Sequence, residues 1–199
     1  MYKVGVTGGI GSGKSVVCRM LLERGAQVYN SDLRAKELMT SDDTIRRELT
    51  ERFGAEVFAG GVLNRRYLAE RVFTDEMELA ALNAIVHPRV LSDFEQWAEQ
   101  QESEYVVIES AILFESGIDK VVDSVVAVMA PEDLRIERTI KRDGLSREQV
   151  EERMRNQLSD DERCTRSKYA VVNIDLDELE EDVEQLHRRL SYDARQQKS

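Results

Sequence analysis

The stretch GVTGGIGSGKSVV, residues 5–17, concentrates five of the chain's 11 glycines around a single lysine. Gly8, four further residues and then Gly13-Lys14-Ser15 match the spacing Gly-x-x-x-x-Gly-Lys-Ser/Thr of a phosphate-binding loop. Residues without side chains let successive backbone N–H groups turn inward around an anion, an approach that bulky side chains would block. Lys14 adds a compact positive charge for β- and γ-phosphates. Ser15 offers a hydroxyl to Mg2+ and opens a helix whose N-terminus favours anions. The pattern constrains the fold because it works only between a strand and a helix. YKVGV (2–6) reads as the strand, and the spacing of Val17, Met20, Leu21 and Arg24 predicts a helix over 15–24. Gly9, Gly11, Ser12, Gly13, Lys14, Ser15 and Val16 are therefore the candidate residues for a nucleoside triphosphate, with Ser15 as the candidate metal ligand.

Beyond the loop, AQVYN (26–30) reads as a second strand, and YVVIE (105–109), SVVAVM (124–129) and YAVVNI (169–174) are continuous apolar runs. Such runs suit parallel strands covered on both faces. The spacing predicts helices over 33–39, 132–142, 146–157 and 176–195, and Gly25 stands where a helix-ending glycine belongs. Ser31 or Asp32 is expected to cap the helix after the second strand. From there to about residue 101 the chain reads as helix, with a turn-like break at Ala59-Gly60-Gly61. IVHPRV (85–90) interrupts that run, and Pro88 suits the first turn of a new helix. Strand and helix alternate, so the fold class is α/β: a five-stranded parallel sheet flanked by helices. One domain is expected over 1–199, its core at about 1–39, 101–142 and 168–199. A helical insert at about 40–100 and a shorter one at about 143–167 interrupt the core.

Charge and cysteine content narrow the partners. A net charge of −11 argues against general nucleic-acid binding, which needs a basic footprint. The charge is uneven: residues 135–168 carry a slight basic excess, whereas 175–184 hold acids and no base. A basic island in an acidic chain suits a confined anionic ligand. The two cysteines, Cys18 and Cys164, are far apart and suggest neither a disulfide framework nor a zinc site; Cys18 reads as a small core residue. Uncharged runs fall well short of the ~18 residues that a membrane helix needs. The N-terminus carries no signal-peptide pattern. A cytoplasmic protein is expected, with no nucleic-acid or membrane partner and no protein partner indicated.

The reaction narrows next. No Asn-Lys-x-Asp reads a guanine, and no Asp-x-x-Gly follows the third strand, so a GTPase is disfavoured. A small kinase needs an acceptor clamp and a lid that excludes water, and the two inserts would supply them. Asp32, just past the second strand, lies at the sheet edge where open α/β sheets bind ligands. It would either cap a helix or orient an acceptor hydroxyl and take its proton. Arg135, Arg138 and Arg142 share one helix face. Arg142, at the hinge of the shorter insert, would neutralise charge on a transferring phosphoryl group. Arg135 reads better as a solvated residue paired with nearby acids. His87 would cap a helix junction or touch substrate. Glu109 and Glu115 would each bind Mg2+ through water or pair with a base of the lid.

In order along the chain, TGGIGSGKS (7–15), NSDLRAK (30–36), FGAEVFAGGVLNRRYLAERVF (53–73), LNAIVHPRV (82–90) and ILFE (112–115) resemble the dephospho-CoA kinase family of phosphate-loop (P-loop) kinases. RTIKRDGLSREQVEERMRNQ (138–157) and SKYAVVN (167–173) extend the likeness over about 170 residues. The resemblance implies transfer of the ATP γ-phosphoryl group to the 3′-hydroxyl of dephospho-CoA, with Mg2+. It implies that Asp32 is catalytic and contacts the acceptor, that Lys14 and Arg142 act on the ATP phosphates, and that His87 lies in an acceptor-binding insert. Asn30 stands where the family commonly has an acid, Val16 where it has Thr, and Ile174 where a Gly frequently follows Asn173. ESAILFE lacks a proline often found there, which leaves Glu109 without an implied role. A nucleoside or nucleotide kinase and a regulatory ATP-binding protein are the other readings. The GVLNRR and His-Pro segments disfavour the first, and retention of Asp32 and Arg142 disfavours the second.

Overall fold

The computed structural model describes residues 1–72 and 74–197; Phe73, which ends the quoted segment 53–73, lies outside the described residues. The chain runs β1 (Tyr2–Thr7), α1 (Lys14–Glu23), β2 (Gln27–Asn30), α2 (Ser31–Ser41) and α3 (Asp43–Phe53). A hairpin of β3 (Phe58–Ala59) and β4 (Val62–Leu63) follows, then α4 (Arg65–Val72) and α5 (Glu76–Glu99). Next come β5 (Tyr105–Glu109), β6 (Ser124–Met129), α6 (Glu132–Asp143), α7 (Arg147–Arg155), α8 (Asp160–Arg166), β7 (Tyr169–Val172) and α9 (Leu176–Gln197). The chain divides into two compact units, 1–30 with 98–199, and 31–97.

In the first unit the strands order as β2-β5-β1-β6-β7, and every neighbouring pair is parallel. The apolar runs explain this arrangement: β5 is buried along its whole length, and Val4 and Val6 of β1 are inaccessible to solvent. On one sheet face Tyr2, Val4, Val6, Tyr105, Val107, Val126, Val128 and Val171 form the core with α1 and α9. Helix α1 brings Val17, Cys18 and Leu21. Helix α9 brings Leu179, Val183, Leu186, Leu190 and Ala194, spaced so that they form one apolar stripe. Each of these Val and Leu side chains contributes about 1.5–3 kcal/mol on leaving water, so burial across this face is the main support of the sheet. Cys18 is buried here as expected, and burial pushes its thiol pKa well up, so it remains a protonated apolar filler.

The second unit is helical apart from its hairpin. Asp42 caps α3, its carboxylate accepting from Ile45 N at 2.8 Å, and Ile45, Leu49 and Phe53 turn one stripe inward. The break at 59–61 is the turn of β3 and β4, strands too short to show any periodicity. The expectation of a new helix at Pro88 is corrected: α5 runs unbroken from Glu76 to Glu99 with Pro88 inside it. A proline there removes one helical hydrogen bond. The continuous buried stripe of Val86, Val90 and Phe94 on both sides of it keeps the helix together. The expected cap at Ser31 or Asp32 also shifts, because α2 already begins at Ser31 and Asp32 lies inside its first turn.

Candidate active site

The site forms where β1 ends. Thr7 is the last residue of the central strand, and residues 8–13 cross its carboxyl edge to the start of α1 at Lys14. Gly13 precedes that helix with φ 92°, a left-handed conformation that suits glycine. A side chain there would also collide with Asn173, since a Cβ would stand 1.9 Å from its amide nitrogen. The loop closes on itself through Ser12 N to Gly9 O at 3.1 Å and Val16 N to Gly13 O at 2.9 Å. Lys14 Nζ curls over it, donating to the carbonyls of Gly8 at 2.8 Å and Gly9 at 3.4 Å. The motif residues Gly9, Gly11, Ser12, Gly13, Lys14, Ser15 and Val16 are thus contiguous around one cradle.

Strand register brings an acid to this cradle. Glu109, the last residue of β5, stands opposite Val6 of β1 on one side and Asn30 of β2 on the other. Ser15 Oγ donates to Glu109 Oε1 at 2.6 Å, and Asn30 Nδ2 donates to Oε2 at 3.0 Å. Asn30 therefore serves as a donor to a buried carboxylate. The hydroxyl of Ser15 and the carboxylate of Glu109 are hard oxygen ligands, the donor chemistry that Mg2+ takes. No group of three or more His, Cys, Asp or Glu among the described residues is arranged to hold a metal ion. A cation held largely by phosphates and water needs no such group. Glu115 goes elsewhere: its Oε1 accepts from Leu158 N at 3.4 Å.

Three residues beyond the motif hold the loop from outside. Asn173 Nδ2 donates to Ser12 O at 2.9 Å, and Arg138 donates to the Asn173 carbonyl at 3.0 Å. Arg135, read from sequence as a solvated surface residue, is corrected by the structure: it is 5% exposed. Its Nε donates to Ile10 O at 3.0 Å, and its NH1 pairs with Asp160. Gln157 Oε1 accepts from Ile10 N at 2.9 Å. Helical spacing gave the face on which Arg135 lies but not what that face meets. A basic residue three positions before Arg138, within a slightly basic stretch, was the only signal available.

The remaining candidates occupy two settings. Arg142, in the last turn of α6, is 64% exposed in its side chain and forks onto its neighbour Asp143, at 2.7 and 2.8 Å. The bond holds the Asp143 carboxyl below its usual range. Asp32 and His87 belong to the unit 31–97. Asp32 sits two residues past β2, and His87 lies half-buried in α5, where burial lowers its imidazole pKa.

A family model described as dephospho-CoA kinase matches residues 2–178. A dephospho-CoA kinase of Bacteroides fragilis is 45% identical over 172 residues, covering 86% of this chain and 84% of that protein. A crystal structure of a Thermus thermophilus protein superimposes with a TM-score of 0.83 at 33% identity, covering 96% of this chain and 97% of that one. The shikimate kinase of Acinetobacter baumannii shares the fold, with a TM-score of 0.58 at 16% identity over 97% and 94% of the two chains.

Proposed function

The chain belongs to the dephospho-CoA kinase family, and from that premise we propose that it transfers the γ-phosphoryl group of ATP to the ribose 3′-hydroxyl of dephospho-CoA, giving CoA and ADP. The observation that carries this reading is the cradle of residues 8–15, closed over by Lys14 and abutting the Ser15–Glu109 pair.

In this reading the acceptor oxygen forms a bond to the γ-phosphorus while the bond to the β,γ-bridging oxygen breaks, and ADP leaves. Asp32 aligns the attacking hydroxyl and accepts its proton. Lys14 exchanges its carbonyl partners, Gly8 and Gly9, for phosphate oxygens and stabilises the charge that spreads over them. Arg142 turns from Asp143 to the transferring group, and His87 contacts the acceptor. Ser15 and Glu109 would hold Mg2+, which when bound neutralises charge on the β- and γ-phosphates. Segment 40–100 serves as the acceptor-binding insert and 143–167 as the lid. The reaction is placed in the cytoplasm, with ATP and dephospho-CoA as partners. ADP release by the purified protein tests the proposal, comparing dephospho-CoA, adenosine, AMP and no acceptor. Release that depends on dephospho-CoA is the expected result; equal release with adenosine or AMP overturns it.

A further inference from the structure

The phosphate loop has an outer grip that the phosphoryl-transfer steps do not use. Ile10, at the loop apex, is bonded through both of its peptide groups. Its N–H donates to Gln157 Oε1 at 2.9 Å, and its carbonyl accepts from Arg135 Nε at 3.0 Å. These grips meet in one short segment. Arg135 pairs with Asp160 Oδ2, and Asp160 Oδ1 accepts from Arg163 NH1 at 3.1 Å. Gln157 lies three residues before Asp160. Between them Ser159 starts α8 with a reciprocal capping box, its hydroxyl accepting from Glu162 N and its N–H donating to the Glu162 side chain. The box fixes where the helix begins and hence where Asp160 and Gln157 stand.

The Arg135 guanidinium also lies against the loop. A Cβ on Gly9 would be 2.2 Å from Arg135 NH2, so glycine at position 9 is what admits it. Arg135 and Arg163 are nearly sealed from water, at 5% and 2% exposure, and both are anchored on the one Asp160 carboxylate. This is more constraint than a surface ion pair imposes, and it acts on the two peptide groups flanking Ile10.

We propose that Gln157 and Arg135 are positioning residues for ATP: they hold the 9–10 and 10–11 peptides in place before the nucleotide arrives, and Asp160 steadies Arg135 for that task. The inference rests on the reading of this loop as an ATP site. A loop ordered in advance loses less conformational freedom on binding, so the grip acts on affinity. Gln157→Met removes the acceptor at similar size, and Arg135→Met removes the donor. The full chain with Mg2+ is titrated calorimetrically with the β,γ-imido analogue of ATP, and melting curves verify folding. One net hydrogen bond corresponds to about fivefold in Kd, so Gln157→Met is expected to bind the analogue about fivefold more weakly. Turnover at saturating ATP is measured alongside, so that a loss in Kd is read separately from a loss in kcat. The double variant should lose less than the product of the single losses, because both side chains hold the same residue.

Unchanged analogue affinity in folded Gln157→Met overturns the inference, as do fully multiplicative losses or a fall in kcat without a change in Kd. If Arg135→Met does not fold, the Gln157 variant decides alone. A wild-type chain that binds the analogue without dephospho-CoA-dependent turnover overturns the proposed function and leaves this test standing. One that does not bind the analogue overturns both.

Discussion

The loop at 8–15 and the helical unit 31–97 keep their shapes by different means. Around the loop, directional polar bonds locate individual atoms: Ile10 is held at both ends, Ser12 by Asn173, and Ser15 by Glu109. In the helical unit, stripes of Ile45, Leu49 and Phe53 on α3 and of Val86, Val90 and Phe94 on α5 are buried. Its polar pairs include Arg66–Glu70, which lies in water. A net hydrogen bond contributes only about 1 kcal/mol but sets a position closely. Apolar burial stabilises more while specifying less, and exposed ion pairs add ~0–1 kcal/mol. Damage to the loop should therefore appear in catalysis, and damage to the helical stripes in melting.

Lys14→Ala should show the first half of that contrast most strongly. Loss of the charge beside the transferring group is expected to cut kcat about a thousandfold with the melting temperature retained. Near-normal turnover would break the comparison. Leu49→Ala tests the other half, with a cavity in α3 costing about 3 kcal/mol in denaturant unfolding. Activity measured well below its melting point should be close to wild type.

Asp32 sharpens the contrast, because it lies in the helical unit yet is assigned a chemical step. Asp32→Asn should lower kcat about a hundredfold and leave ATP affinity intact. Loss of ATP binding with unchanged kcat would show that its role is misassigned. Arg142→Ala should reduce kcat/KM about tenfold. Stability should move by no more than about 0.5 kcal/mol, since the pair with Asp143 is exposed. A larger loss in stability than in kcat/KM would make Arg142 a surface-pair residue.

The smallest effect concerns His87. Burial holds its folded pKa below the ordinary 6.5, so the unfolded chain binds more protons in that range. Stability therefore rises with pH there: it is fully present above about 6.5 and falls as the solution is acidified through the lower, folded pKa. His87→Gln should flatten the melting-temperature slope between about pH 6.5 and 5, above the range where carboxylates titrate. An unchanged slope would remove His87 as its source.

Much of the fold was legible because its signals are local. Strands β5, β6 and β7 lie in continuous apolar runs, and α9 writes its stripe at helical spacing. Pro88 misled because a local breaker was overridden by the buried stripe on both sides of it. The hairpin at 58–63 was missed because its strands span two residues each. Glu109 was noticed as an acid at a strand end, but its partners Ser15 and Asn30 depended on strand register and on which strands flank it.

The sequence alone determined the phosphate-binding loop, the strand–loop–helix setting that makes it work, the α/β class and the family resemblance, since each is encoded by spacing within a few turns of chain. Tertiary structure alone decided that Arg135 is buried on the loop, that Asn173 and Gln157 bond to it, and that Glu109 meets Ser15. These contacts join residues 125, 161, 147 and 94 positions apart. Strand register and helix packing create such meetings, and no local pattern of propensity or spacing records them.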